Sequence, residues 1–322
     1  MEYRNLGRSG LQVSLLSLGG NVFGRVVDQA GTDAIVGRAL DLGVNMIDTA
    51  DTYTAGESEL LLGKALKGRR HEAIIATKGV GEIGEGPNNH QASRQHLIDA
   101  VEGSLRRLDT DYIDLYQTHA WDRTTPLDET LRTLDDLVRA GKIRYVGSNG
   151  YKAWHLAEAQ WLARTNGYAP MVSEQPEYSL LERGIEREIM PACQNYGVGL
   201  VPHYVIAGGL LTGKYRRGVP PPPDSRFGDF LARPRAQGRD RIQFTQRWDN
   251  ERYWTLLEAL DQFAKERECT VTDIAIAWAA AQPMISSLII AATKIDQLET
   301  NVRAVELKLS AEDLQALDEM TR

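Results

Sequence analysis

Side chains that move protons recur at the ends of short apolar runs in this chain. The stretch NMIDTADTYTAGESE (45–59) closes an apolar run at Ile47 and then sets down Asp48, Asp51 and Tyr53 in quick succession. AIIATK (73–78) ends on Lys78, and YIDLYQTH (112–119) ends on His119. IRYVGSN (143–149) ends on Ser148 and Asn149, and MVSEQ (171–175) on Gln175. Taken singly, each has a commoner structural role: Asp48 as a turn cap, Lys78 as a solvated strand end, His119 as a core imidazole. Taken together, Tyr, Lys, Asp and His form a proton-transfer set. A tyrosine with its ordinary pKa of about 10 is a poor proton donor near neutrality. A neighbouring ammonium stabilises the phenolate and lowers that value. A carboxylate paired with the lysine offsets its burial, and an imidazole can polarise a carbonyl at the same spot.

Such a set works only if the chain brings those ends to one place. Eight apolar runs are spaced along it: LLSLG (15–19), VNMID (44–48), AIIATK, YIDLYQTH, IRYVGSN, MVSEQ, VGLVPH (198–203) and SLIIAA (287–292). Most lack clean alternation, as expected of strands covered on both faces in a parallel sheet. Helical patterns lie between them, at 32–43, 93–108, 126–141, 153–164, 252–266 and 270–283. The segment 126–141 begins with Pro126 and ends with Gly141, the expected asymmetry. Eight strand–helix units predict an α/β fold, a (β/α)8 TIM barrel, as a single domain over 1–322. A doubly wound sheet is the alternative, weakened because no G-x-G-x-x-G follows an early strand. The stretch 3–14 reads as an N-terminal β-hairpin. The proline-rich stretch 213–240 reads as a long loop after the seventh strand, in the manner of a lid or binding loop. In a parallel barrel the active site forms at the carboxyl ends of the strands, where all the polar residues named above would converge.

Composition narrows the function further. Net charge is −7, which disfavours a nucleic-acid or acidic-membrane partner. The two cysteines, Cys193 and Cys269, form neither a metal-spacing pattern nor a disulfide framework. The opening MEYRNLGRSG lacks the apolar core of a signal peptide, and no apolar run reaches the ~18 residues of a membrane span. The expectation is a cytoplasmic protein with no metal. A metal-dependent barrel hydrolase using Asp48, Asp51 and His119 is a rival reading, but it lacks a dense ligand cluster.

The chain resembles the aldo-keto reductase superfamily over essentially its whole length. The resemblance is carried by LGRSGLQVSLLSLGG, DTADTYTAGESELLLGKAL, IIATK, SLRRLDTDYIDLYQTH, LVRAGKIRYVGSN, GGLLTGKY and QLETN. It implies a catalytic tetrad of Asp48, Tyr53, Lys78 and His119 and a nicotinamide cofactor, NADPH with NADH as the alternative. By the resemblance, Ser148, Asn149 and Gln175 meet the carboxamide, GGLLTGK (208–214), with Gly208 and Lys214, is the segment passing the pyrophosphate, and Ile206 just before it is a further cofactor-binding candidate. Arg226 matches a residue over the adenine, and Thr293, Gln297 and Asn301 match the adenosine end. Lys294 is either a partner for a 2′-phosphate or a solvated loop lysine. The family often stacks an aromatic residue on the nicotinamide just after the seventh strand. Here that stretch holds His203 and Tyr204, either of which can stack, and Ala291 stands where glycine is common. The implied reaction is reversible reduction of an aldehyde or ketone to an alcohol, with Tyr53 as general acid. Phe23, Trp121, Tyr204 and Trp248 are candidates to line the substrate pocket, although each also fits a packing role. Asp51 is expected to stabilise the turn, and Ser58 to cap the helix that follows. The superfamily also contains potassium-channel β subunits, so a cofactor-binding regulatory subunit with little turnover is the alternative reading.

Overall fold

A computed structural model describes residues 1–82, 85–223, 225–228, 248 and 250–322. Strands β1 (Tyr3–Asn5) and β2 (Gln12–Ser14) pair antiparallel with Tyr3 opposite Ser14, forming the expected hairpin. The next eight strands are β3 (Leu16–Gly19), β4 (Met46–Asp48), β5 (Ile74–Gly79), β6 (Ile113–Thr118), β7 (Ile143–Asn149), β8 (Met171–Gln175), β9 (Gly199–Leu200) and β10 (Leu288–Ile290). They form one parallel sheet in the order β10-β3-β4-β5-β6-β7-β8-β9. The two edges then meet. The Ser286 N–H donates to Leu200 O at 2.8 Å, and the Ile289 N–H donates to Pro202 O at 3.0 Å. These bonds close the sheet into a (β/α)8 barrel, and each of the eight apolar runs supplies one barrel strand.

Helices α1 (Gln29–Asp41), α2 (Glu57–Ala65), α3 (Arg94–Leu108), α4 (Leu127–Arg139), α5 (Ala153–Asn166), α6 (Ile189–Tyr196), α7 (Glu251–Lys265), α8 (Val271–Ala280), α9 (Ile295–Glu306) and α10 (Ala311–Thr321) accompany the strands. The sequence reading did not anticipate α6 or α10. The short α6 carries Pro191 within it. A signal for α10 was present: Ser310 and Asp313 form a capping box at its start. The loop expected over 213–240 is described only through 223 and at 225–228, and the remainder of that stretch lies outside the described residues.

Strand alternation positions the site. Met46, Ile74, Ala76, Leu115, Val201 and Ile289 form a separate apolar cluster with Leu6 and Val13 of the hairpin segment. That cluster fills the barrel and is plugged at one end by the hairpin. Residues two positions further along a strand share the same face. Met46 is therefore followed by Asp48, Ala76 by Lys78 and Leu115 by Gln117, and the apolar floor becomes a polar mouth. On the opposite faces Ile47, Ile75 and Tyr116 join the larger core beneath the helices. Because both faces of most of these strands are buried, composition alone hid this alternation.

Candidate active site

Lys78 is fully buried, and its ammonium makes three hydrogen bonds. It donates to Asp48 Oδ2 at 2.6 Å, to Thr49 O at 2.9 Å and to the Tyr53 hydroxyl at 3.3 Å. The ammonium's three protons match those three acceptors, which is how a buried cation avoids the penalty of an unpaired charge. Burial pulls the Lys78 pKa down, but the Asp48 carboxylate and the Tyr53 oxygen more than offset it, and the net direction is upward. For Tyr53 the outcome differs from the sequence-based expectation. Burial raises its pKa, the Lys78 ammonium pulls it down, the Asp48 carboxylate raises it again, and the net direction is upward. Tyr53 is thus a protonated phenol at neutral pH with an ammonium on its oxygen.

The turn that carries Tyr53 is unusual. Thr54, Ala55 and Gly56 all have positive φ, at 50°, 54° and 90°. A left-handed conformation costs roughly 1–2 kcal/mol for each non-glycine residue, so surrounding contacts must hold this turn. A Cβ on Gly56 would lie 2.7 Å from Arg107 Cδ, so only glycine lets the turn rest on that side chain. Arg107 Nε in turn donates to Glu59 Oε2 at 2.7 Å, and the Thr77 hydroxyl donates to Glu59 Oε1 at 2.5 Å. Ser58 does not cap α2, whose N-cap is Gly56. Instead its hydroxyl donates to Gly20 O at 2.8 Å and lies 2.8 Å from Thr49 Oγ1, tying the turn to the end of β3.

His119 follows β6, with its backbone N–H on Gly79 O at 2.8 Å. Its ring lies edge-on to Tyr53 with centroids 5.7 Å apart. Its Nδ1 is 3.5 Å from Thr52 Oγ1. Burial, the Lys78 charge and His203 together push its pKa down to about 3, so the imidazole is neutral over the working range. A neutral imidazole beside a protonated phenol offers two donors to one oxygen atom. Asp51 stands apart from this group. Its carboxyl is buried, and neither oxygen has a partner in full hydrogen-bond geometry. Burial and the neighbouring Glu59 raise its pKa to about 7, against the opposing pull of Arg107, the Thr52 N–H and Lys78.

Beside the tetrad lies a row of amides. Strand register sets Ser148 opposite both Thr118 and Glu174, and Asn149 opposite Gln175. Asn149 Nδ2 donates to Gln175 Oε1 at 2.8 Å, and Gln175 Nε2 donates to Asp48 Oδ1 at 2.9 Å. The Ser148 hydroxyl donates to Glu174 Oε2, and the Tyr151 N–H donates to Glu174 Oε1 at 2.9 Å. Burial raises the Glu174 pKa to about 7, against the hydrogen bonds from Ser148 and from the Tyr151 and Gly150 N–H groups. The sequence reading missed Gln117, Glu174, Glu59 and Arg107. Gln117 was findable as the next inward position after Leu115. The other three carry no signal until tertiary contacts are known.

The remaining candidates follow the ends of β9 and β10. The rings of His203 and Tyr204 are 5.0 Å apart and tilted at 57°, and Tyr204 has a positive φ of 56°. Arg226 Nη2 donates to the Tyr204 hydroxyl at 3.1 Å. Ile206 leads into a tight turn, Ala207–Thr212, in which Gly208 has φ 65°. Lys214 just beyond is exposed, with Nζ 5.2 Å from the Tyr215 ring centroid. Thr293 donates to Gln297 Oε1 from its N–H at 2.9 Å and from its hydroxyl at 3.1 Å, Lys294 is the N-cap of α9, and Asn301 is buried in that helix. Among the pocket candidates, Phe23 is fully buried and contributes no open surface. Trp121 stacks on His155 at 3.7 Å and meets Tyr151 edge-on at 5.1 Å. Trp248 packs on Phe227 at 5.2 Å and edge-on to Tyr215 at 5.6 Å. Among the described residues no group of three or more His, Cys, Asp or Glu could hold a metal ion, and no helix is long and apolar enough to cross a membrane.

A barrel whose second, third and fourth strands deliver Asp48, Tyr53, Lys78 and His119 to one mouth has recognisable relatives. The model of the aldo/keto reductase family matches residues 15–322, and the chain belongs to that family. An uncharacterized oxidoreductase of Bacillus subtilis (strain 168) is 36% identical over 99% of this chain and 96% of its own length. A probable voltage-gated potassium channel subunit beta of Oryza sativa subsp. japonica is 37% identical, covering 95% of this chain and 92% of its own. The L-glyceraldehyde 3-phosphate reductase of Escherichia coli (strain K12) is 32% identical over 99% and 92%. Family and relatives together make this chain a carbonyl-reducing oxidoreductase by kinship.

Proposed function

We propose that the chain, as one barrel domain over 1–322, reversibly reduces an aldehyde or ketone with NADPH, NADH being the second choice. The observation that carries the proposal is the Asp48–Lys78–Tyr53 hydrogen-bonded chain at the barrel mouth, with a neutral His119 against the phenol. Ser148, Asn149 and Gln175 suit a nicotinamide, because a carboxamide needs both donors and acceptors and these side chains carry both. His203, Tyr204, Ile206, Gly208, Lys214, Arg226, Thr293, Lys294, Gln297 and Asn301 would hold the rest of the dinucleotide. Lys214 and Lys294 supply positive charge for its phosphates, Lys294 at the start of α9 where a helix favours an anion. Bound there, the cofactor supplies hydride chemistry.

In this reading His119 orients the carbonyl through a neutral ring N–H. Tyr53 gives its hydroxyl proton to the carbonyl oxygen as negative charge develops there. Lys78 stabilises the phenolate that remains, and Asp48 keeps the ammonium in register. A positioned donor of this kind contributes about 10²–10⁴-fold. Trp121, Tyr204 and Trp248 are the aromatic residues proposed to bound the substrate. The proposed partners are small carbonyl or alcohol molecules, and the proposed location is the cytoplasm. The 37% identity to a probable channel subunit supports a second reading, a cofactor-binding regulatory subunit with little turnover. One experiment separates the two. Oxidation of NADPH and then of NADH is followed at their absorbance band across a panel of aldehydes and ketones. Turnover on some member supports the reductase, whereas tight dinucleotide binding with no turnover on the whole panel supports the regulator.

A further inference from the structure

The row of amides beside the tetrad is ordered by charge. Asp48, ion-paired with Lys78, is a carboxylate and can only accept hydrogen bonds. Its Oδ2 is taken by Lys78, and its Oδ1 by Gln175 Nε2 at 2.9 Å. Gln175 must therefore turn its NH₂ group toward Asp48. The nearest further acceptor for that NH₂ is Gln117 Oε1 at 3.5 Å, so both of its hydrogens point inward. Gln175 Oε1 then faces Asn149 and receives its Nδ2 at 2.8 Å, which fixes Asn149 in turn. What these two amides retain for a ligand includes the Asn149 Oδ1 and one lone pair on Gln175 Oε1. Asn149 also keeps its second N–H, so the row offers two acceptors against one donor, which favours a ligand that can donate an N–H over one that can only accept. The proton of the Ser148 hydroxyl is likewise committed, to Glu174.

We propose that Asp48 acts as a positioning residue for the cofactor through the Asp48–Gln175–Asn149 hydrogen-bond chain, setting its polarity so that a carboxamide is accepted and a carboxylate of the same shape refused. This rests on the reading above that Asn149 and Gln175 meet the nicotinamide. Asp48→Asn is nearly isosteric and makes the idea sharp. The new amide keeps its oxygen on the Lys78 ammonium and turns its NH₂ toward Gln175. Gln175 must then present its oxygen to position 48 and its NH₂ to Asn149. Asn149 turns over in the same way and offers NH₂ to the ligand. The chain reverses end to end with no atom moved far.

The test is dinucleotide binding, followed by quenching of tryptophan fluorescence. The probes are NADP⁺ and its analogue in which the nicotinamide is replaced by nicotinic acid. The native protein should bind the amide at least about tenfold more tightly than the acid, one hydrogen bond of the wrong polarity being worth about that factor. Asp48→Asn should lower this ratio by about tenfold or more. Gln175→Met, which cuts the chain but leaves the Asp48–Lys78 pair intact, should lower it as well. In the double variant, Asp48→Asn should then have no further effect on the ratio. If Asp48→Asn changes the ratio equally with and without Gln175→Met, the effect is loss of local charge and the polarity mechanism is overturned. An unchanged ratio in Gln175→Met, which keeps both charges and the Lys78 bond to Asp48 Oδ2, overturns it too. Failure of the native protein to bind either dinucleotide would instead overturn the proposed function.

Discussion

Replacing Asp48 by Asn tests the electrostatic account of the site in stability as well as in binding. Lys78 has no solvent exposure, and among the described residues its only charged hydrogen-bond partner is Asp48 at 2.6 Å. Removing one member of a buried ion pair costs about 3–5 kcal/mol, because the remaining charge stays desolvated. Thr49 O and the Tyr53 hydroxyl still accept from Lys78, so the lower end, about 3 kcal/mol, is expected at pH 7. The sign of the pH dependence is more telling. In the native protein the Lys78 pKa is raised on folding. Its contribution is therefore fully present below the unfolded value of about 10.4, and the Lys78 term is flat from pH 7 to 10. In the variant the carboxylate that offset burial is gone, so the folded pKa falls below the unfolded one. The unfolded chain then binds the extra proton, and stability rises with pH by up to about 1.4 kcal/mol per unit. Urea denaturation of both proteins at pH 7, 8, 9 and 10 measures this. The destabilisation should shrink as pH rises. A constant difference, or one that grows, would refute the account of Lys78 as a buried cation neutralised by Asp48.

Three further outcomes follow from the geometry. Tyr53→Phe should lower kcat by about 10²–10⁴-fold while leaving the dinucleotide Kd nearly unchanged; a parallel loss in both would remove Tyr53 from the donor role. His119, with its folded pKa depressed to about 3, contributes stability at higher pH that is lost as pH falls from about 6.5 toward 3. His119→Asn should flatten that part of an acid-denaturation profile, and an unaltered profile would contradict the neutral imidazole. A Cβ at Gly79 would lie 1.9 Å from the hydroxyl of the buried Tyr116 and 3.0 Å from its Cζ. Gly79→Ala should therefore lower stability by about 2–3 kcal/mol, and Tyr116→Phe in the same chain should restore part of it, as read by Tm; no restoration would mean that the clash lies elsewhere.

The barrel was legible because its strands are short, apolar and separated by helical segments with recognisable ends. Asp48, Lys78 and His119 each close one of those runs, and Tyr53 follows five residues after Asp48, so the proximity of the four was legible. Lys78 and Asp48 sit two residues beyond Ala76 and Met46 on inward-facing rows, so strand period alone delivers them to one mouth. The direction of the Tyr53 shift was not legible, since it depends on how far burial outweighs Lys78. Nor were Glu59 and Arg107, which look in sequence like surface residues of two amphipathic helices and meet only in the fold. Asp51 was read as a turn residue apart from the other four, and nothing in sequence foretold a buried acid beside Glu59 with its pKa raised to about 7.

The Glu59 carboxylate joins two parts of the site that are far apart in sequence. One oxygen holds Thr77, the residue before Lys78, and the other holds Arg107, the side chain on which the Gly56 turn rests. Donor and ammonium therefore stand on a common footing between α2 and α3. A change at Glu59 would therefore reach both ends of the 3.3 Å contact between Lys78 and the Tyr53 hydroxyl.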